Sequence, residues 1–489
     1  MGARTRTGAD FETVLNSPPG SPFGFRVAVR ASGAGISFEV SGADPSAGPS
    51  KTRRYLLPDR GHQSYTEFFE GLAGDFGSRT PGGGRKAPAP PDFRAPYQVL
   101  LTENLAPGML YGYGDPAVLR VEGRDGGGAW YYLVATSNDA PDSFPLIRSR
   151  DLLGWEFVGF VFPRGRKPAW AADGEFVADY WAPELHRVGG EFRVYFVARD
   201  RRTRELCIGV AKSRSPEGPF EPAPRPILRG DVIDPHVFVE DDGGALLFWK
   251  KDNNAVWPAR LCDLLGERPS LVAELLPRRE DQVTASFLLT LWPWARGLAP
   301  MERFFVQHTF VEGVAETFAD THERLRSLSR GRVRGDAFGE AARGVLRVMR
   351  TPVYARRLSP DGLSLVGRRT KVLENDQPWE GHLVEGVWVT KQAGKYHMLF
   401  AANDFSTSRY GIGAAVADSP LGPYRKMEGP LLRSTPAWTG PGHPSVAVGP
   451  EGRPRLFLHA YSPGRVGYKQ FRALLTTPLV FDERGVRLP

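Results

Sequence analysis

The sequence predicts an all-β fold, a five-bladed β-propeller, with an N-terminal β-rich extension and a helical insertion in blade three. Three observations carry this. Glycine (56) and proline (43) are abundant among 489 residues, as a chain with many turns between short strands requires. Apolar and aromatic runs are short and bounded by those turn residues. From Tyr111 onward one pattern recurs five times: a polar residue beside Pro or Gly, a short apolar strand, a Gly-containing turn, an aromatic-rich strand, and a strand of small and apolar residues.

The region before the repeats has its own texture. Phe25 to Val29 and Ile36 to Val40 alternate apolar with polar residues around a Gly-rich turn, the pattern of a β-hairpin. Gly77 to Pro96 is rich in Gly, Pro and basic residues and reads as a linker or a long surface loop. The extension is therefore placed at residues 1–105 and the propeller at 106–489.

The five units open at Asp115 (GDPAVLRV), Glu184 (APELHRVGGEFRVYFVA), Asp234 (DPHVFVEDDGGALLFWK), Glu385 (VEGVWVTKQAGKYHMLFAA) and His443 (GHPSVAVGPEGRPRLFLHA). The openings lie 69, 50, 151 and 58 residues apart. A period of about 40–50 residues with four strands per unit marks a propeller. The long gap falls into line if residues 259–349 are an insertion. There Val311, Val314, Ala315 and Phe318, and again Phe338, Ala342, Val345 and Met349, recur at helical spacing. Such helices cap a cavity, hold a second copy of the chain in a homo-oligomer, or simply decorate the surface.

Composition excludes several classes. The formal charge of +8 is spread over the chain, and no basic block alternates with aromatics, so no nucleic-acid groove is expected. The apolar run Phe287 to Trp294 is too short to span a bilayer and contains Pro293, so no membrane partner is expected. Cys207 and Cys262 stand apart from any CxxC or Cys/His cluster, which gives no zinc site and no reason for a disulfide. Met1 to Arg6 leads into no apolar segment, and the expected location is cytoplasmic.

Residues that open the inner strands of a propeller converge at one end of its channel. Here the set is Asp115, Glu184, Asp234, Glu385 and His443. Carboxylates crowded into a funnel separate their pKa values, and separated pKa values assign acid and base roles. Glycoside hydrolysis needs such a set: one protonated carboxyl for the leaving oxygen and one carboxylate to activate water. The competing reading is that Asp before Pro merely forms turns. It suits any one of these residues better than all of them at equivalent places.

The motifs YGYGDPAV, DYWAPELH, VIDPHVF, LVEGVWV and GPGHPSV, in this order, resemble those of glycoside hydrolase family 43, and LENDQPWEG and AVADSPLGPY add to the likeness. The resemblance covers Tyr111 to Pro489 without the insertion. It implies a five-bladed propeller that hydrolyses terminal pentosyl residues, α-L-arabinofuranosyl or β-D-xylosyl, from an oligosaccharide substrate with inversion. In that frame Asp115 is the general base, Glu385 the general acid, and Asp234 tunes and holds the acid. Trp181 and Phe144 are implied as sugar-facing aromatics, though both also suit a core. Arg472 is implied to reach the substrate. His443 matches a central histidine found near a hydrated cation, so a structural Ca2+ is expected there and no other cofactor. Three features depart from the family pattern: Val387 where Pro is usual, Pro444 beside His443, and the large insertion. Glu380 in PWEG is a rival acid. An exo-galactosidase of the same family and a non-catalytic glycan- or protein-binding propeller are the alternatives.

Overall fold

The computed structural model describes residues 11–32, 35–43, 51–59, 61–76, 97–123, 128–175, 177–330 and 336–489. The linker expected at Gly77 to Pro96 lies outside the described residues. The chain divides into two compact units, one of residues 1–88 and 253–350, the other of 89–252 and 351–489.

In chain order the elements are β1 (Phe11–Asn16), β2 (Gly24–Ser32), β3 (Gly35–Ala43), β4 (Lys51–Leu57) and α1 (His62–Phe76), then β5 (Gln98–Leu101). There follow β6 (Ala117–Glu122), β7 (Ala129–Val134), β8 (Ser143–Ser149), β9 (Trp155–Phe162), β10 (Trp181–Val188), β11 (Glu191–Arg199), β12 (Leu206–Ser213), β13 (Glu221–Pro222), β14 (Val232–Val239) and β15 (Ala245–Lys251). Six helices come next: α2 (Val256–Glu267), α3 (Leu271–Leu275), α4 (Arg279–Ala295), α5 (Pro300–Glu316), α6 (Phe318–Ser329) and α7 (Ala337–Val348). The chain ends with β16 (Pro352–Leu358), β17 (Leu365–Glu374), β18 (Val384–Gln392), β19 (Lys395–Ala402), β20 (Gly411–Ala417), β21 (Arg425–Lys426), β22 (Thr439–Val448), β23 (Pro454–Tyr461), β24 (Ala473–Pro478), β25 (Val480–Asp482) and β26 (Gly485–Arg487).

The first unit joins what the sequence presents as two separate appendages. The expected hairpin is β2–β3, at the centre of the antiparallel sheet β1-β2-β3-β4. Its alternation leaves Phe25, Val27, Val29, Phe38 and Val40 on one buried face. A single sheet cannot bury that face alone, and helices from the insertion supply the cover. Phe287 of α4 meets Phe25 edge-on at 5.4 Å, Trp294 meets Phe38 at 5.7 Å, and Phe68 of α1 stacks on Phe38 at 4.6 Å. The helical spacing read across Val311 to Phe318 breaks at Thr317, where α5 ends and α6 begins.

Among the described residues the second unit holds five four-stranded antiparallel sheets, β6 to β9, β10 to β13, β14 to β17, β18 to β21, and β22-β23-β24-β5, with the small hairpin β25-β26 beside them in sequence. The first strands touch in a closed ring, β6 to β10 to β14 to β18 to β22 and back to β6. The last sheet takes its outer strand from upstream, so Gln98 to Leu101 belongs with the repeats and not with the extension, which corrects the boundary at residue 105. Cys207 and Cys262 are both buried and free.

Candidate active site

Each of the five first strands is entered through one residue in the left-handed region: Asp115 (φ 54°), Ala182 (φ 41°), Asp234 (φ 56°), Gly386 (φ 52°) and His443 (φ 51°). Pro follows four of them, and Val387 follows Gly386. This fixes the repeat register and corrects the reading from sequence. Asp115, Asp234 and His443 are equivalent, but Glu385 stands one residue before the kink and Glu184 two residues after it. Non-Gly residues in this region carry strain of order 1–3 kcal/mol that the surroundings must hold.

Asp115 lies in a cage of polar and cationic groups. Arg472 Nη1 donates to Oδ1 at 2.9 Å and the Thr136 hydroxyl to Oδ2 at 2.5 Å. His443 Nδ1 is 3.3 Å from Oδ1 and His459 Nδ1 3.6 Å. The Asp115 N–H donates to His459 Nδ1 at 3.0 Å, which makes that imidazole nitrogen an acceptor. Burial pushes the carboxyl up, but Arg472, the two imidazoles and Thr136 outweigh it and hold Asp115 well below the usual carboxylate range.

The other two carboxyls sit in the opposite kind of environment. Glu385 is buried, with Tyr410 donating to Oε1 at 2.9 Å and Lys250 to Oε2 at 2.9 Å. Asp234 is buried and accepts from the Gly386 N–H at 2.9 Å, one residue along from Glu385. Burial raises Asp234 to about 7; Lys250 opposes this and Asp115 adds to it. Burial also raises Glu385, against Lys250 and with help from Asp234. Two carboxyls this close titrate as a pair.

Of the expected substrate contacts, Arg472 is at the site and Trp181 opens β10, half-buried and packed with Ile233. Phe144 is not. It is fully buried in the core between Phe162, Tyr180 and Phe196, at ring distances of 5.9, 5.6 and 5.5 Å, which overturns its reading as sugar-facing. Glu380 is also removed as a rival acid. It is fully buried, closes a capping box on residues 377–380, and both its oxygens are held by Lys426.

Glu184, His186 and His236 bring three donor atoms close enough to share an ion. Their hydrogen bonds argue otherwise. The Val389 N–H donates to His236 Nε2 at 2.9 Å, so the proton of that ring is on Nδ1, which faces Glu184 Oε2 at 2.9 Å. A protonated nitrogen is no metal ligand. His186 Nε2 lies 2.6 Å from the same oxygen. Burial pushes Glu184 up, but the two histidines outweigh it and bring it to about 2, so the cluster is a carboxylate with two imidazole donors tying the first strands of three sheets together. His443, where a cation is expected, has its Nδ1 against Asp115, whose carboxylate is committed to Arg472 and Thr136. Calcium takes about six to eight oxygen ligands, so these residues do not by themselves make a calcium site.

Thr136, Lys250, Tyr410 and His459 escape the reading from sequence. Three of them obey one rule: each lies on or just after a second strand, opposite the residue that precedes the kink. Thr136 pairs with Gly114, Lys250 with Ile233 and His459 with Gly442. A polar residue at that place in an apolar strand is the signal that finds them.

A buried set of carboxyls with opposed environments, mounted on a ring of antiparallel sheets, is the layout of an acid–base hydrolase. The sequence profile of Glycosyl hydrolases family 43 matches residues 109–267 and 344–486, and the chain belongs to that family. A β-xylosidase of Xylanibacter ruminicola is 25% identical over 306 residues, 62% of this chain and 72% of its own length. The xylosidase/arabinosidase 43A of Humicola insolens is 48% identical over 69 residues, 14% of this chain and 21% of that protein, so the chain spans about a fifth of the length of this relative. The crystal structure of a thermostable family-43 glycoside hydrolase matches with a TM-score of 0.52 at 25% identity, covering 78% of this chain and 94% of that one.

Proposed function

We propose that the protein is an inverting exo-glycosidase that removes terminal pentosyl residues, α-L-arabinofuranosyl or β-D-xylosyl, from oligosaccharides. We also infer that the five sheets of the second unit are the blades of a propeller whose first strands line its channel. The observation that carries the reading is the divergence of the carboxyls: Asp115 held ionised by Arg472 and Thr136, Asp234 and Glu385 held toward the protonated form by burial. In the proposed step Glu385 gives its proton to the leaving oxygen as the glycosidic bond breaks toward that oxygen. Water attacks the anomeric carbon from the opposite side and loses a proton to Asp115. A binding module has no need of this separation. The sugar class rests on the relatives, which bear the names β-xylosidase, xylosidase/arabinosidase and, from Streptomyces chartreusis, exo-α-(1->5)-L-arabinofuranosidase.

The test is a panel of nitrophenyl glycosides with the product anomer read by NMR before it mutarotates. The panel includes a β-galactofuranoside, because a relative from Aspergillus niger is a β-D-galactofuranosidase. Hydrolysis of a pentoside with inverted product is expected; retained configuration or no turnover of any pentoside overturns the reading. No step runs through a metal, so activity is expected to survive chelation by EDTA. Loss restored by calcium alone would return a cation to His443.

A further inference from the structure

Glu385 is gripped at both oxygens. Lys250 approaches Oε2 from β15 and Tyr410 approaches Oε1 from the turn before β20, each at 2.9 Å. Both partners are buried, as is Glu385. The grip is asymmetric in chemistry. An ammonium only donates, so a proton on Oε2 would point at a cation. A phenol donates or accepts, so it suits either protonation state of Oε1.

We propose that Lys250 is a positioning residue for the general acid: its ammonium claims Oε2 of Glu385 and leaves Oε1, the edge against Tyr410, to carry the transferable proton. This rests on the reading of Glu385 as the acid and deepens it. Once Glu385 has given up its proton, the carboxylate takes hydrogen bonds from both neighbours. On protonation Oε1 gains the hydrogen, and the Tyr410 hydroxyl turns from donor to acceptor or yields to the glycosidic oxygen. Lys250 therefore opposes protonation as well as orienting it. The charged and titratable groups around it are Glu385, Asp234 and Asp252, and those around Glu385 are Lys250, Asp234 and Tyr410, with Asp115 beyond Asp234 and His443 against Gly386. Asp234 pushes the acid up and Lys250 pulls it down, so the acid's working range is set between them.

The test is the pH dependence of kcat and kcat/KM for Lys250→Gln, Lys250→Arg and Tyr410→Phe, each with a poor and a good leaving group. Removing the ammonium takes away a cation in contact with the acid, so in Lys250→Gln the alkaline limb is expected to move up by about one unit or more. Turnover of the poor leaving group should fall about 10–100-fold while KM holds, because the acid loses its orientation. Lys250→Arg keeps the charge and should leave the limb in place. Tyr410→Phe should also move the limb up, by less, and lower kcat for the poor leaving group. A folded Lys250→Gln whose alkaline limb matches the parent reduces Lys250 to a counter-ion of Asp252 and overturns the proposal. Full kcat in Tyr410→Phe overturns the assignment of Oε1. Should Lys250→Gln fail to fold, the Tyr410→Phe arm and a Lys250→Met variant decide alone. Glu385→Gln run beside them separates the two failures. If it keeps the parent rate on the poor leaving group, the acid itself is misassigned; if it is inactive there and Lys250→Gln shifts nothing, only the role of Lys250 falls.

Discussion

The two sides of the site hold the same functional group and treat it in opposite ways. Around Asp115 the guanidinium of Arg472 before β24, the hydroxyl of Thr136 after β7 and the imidazoles of His443 on β22 and His459 on β23 converge, and the side chain keeps 14% of its surface exposed. Around Asp234 and Glu385 two carboxyls lie buried with one ammonium between them. At Asp115 burial is opposed first by the charge of Arg472, then by the two histidines, with the Thr136 hydrogen bond behind them. Burial is the largest influence on all three acids and is overcome only at Asp115, where several polar and cationic groups converge. The openings of first strands in one ring thus hold one carboxyl ionised and, at or one residue before the kink of two others, a pair of carboxyls pushed toward the protonated form.

The most severe way to break the comparison is to remove each role in turn. Asp115→Asn and Glu385→Gln should each cost ~10²–10⁴-fold on substrates with poor leaving groups. They should part company on good leaving groups, which need little protonation. There Glu385→Gln should recover most of its activity and Asp115→Asn should not. Equal losses in both variants on both substrates would mean the two sides are not a base and an acid.

A milder intervention works on the cage. Arg472→Met removes the leading influence that keeps Asp115 ionised, so the carboxyl pKa should rise. The base must be ionised to act, so the acid limb of the pH–rate profile should move to higher pH while the alkaline limb stays. The rate at its optimum should fall roughly 10–100-fold, in line with losing a charge-assisted hydrogen bond of about 1.5–3 kcal/mol. Gly114→Ala offers a second handle, since a Cβ there would sit 1.8 Å from Arg472 Cζ and force the guanidinium aside. An acid limb unmoved in both variants would leave the cage without its assigned purpose.

The pattern of what was legible follows from the repeat. Asp115, Asp234 and His443 could be read because each is a polar residue before Pro at the start of an apolar strand, and the repetition makes that context visible. Glu385 could be placed among the strand openings too, but its one-residue offset from the kink could not be seen, because Gly386 hides the equivalence. Phe144 misled because an aromatic that follows a polar stretch, here Ser137 to Ser143, looks the same whether it faces solvent or core. Only its packing against three rings decides. Lys250 and His459 stayed hidden because they lie inside apolar strands, where their neighbours in space are set by strand register. The joining of the extension to the insertion was out of reach, since no local pattern tells a half-covered sheet which distant helices will cover it.

The finest test of the comparison is Asp234→Asn, which alters only the proton pair. Asn keeps an oxygen to accept the Gly386 N–H, so the backbone that carries Glu385 should stay where it is. The maximum rate should therefore change less than in any variant above. What changes is the titration. In the parent, Asp234 and Glu385 share a pocket with Lys250, and each resists ionising beside the other. With Asn at 234, Glu385 loses the negative charge that pushes it up while Lys250 still pulls it down, so its pKa should fall. The acid must be protonated to act, and activity is lost as pH rises through that pKa. The alkaline limb, which burial and Asp234 push up in the parent against Lys250, should then move down. The acid limb, which belongs to the caged Asp115, should stay or drift slightly lower, because a neighbouring negative charge has gone. This is the opposite sign to the shift expected for Lys250→Gln, and the pair of profiles brackets the acid from both directions. An alkaline limb that moves up in Asp234→Asn, or does not move, would strip Asp234 of its place beside the acid and leave it a kink-forming residue before Pro235.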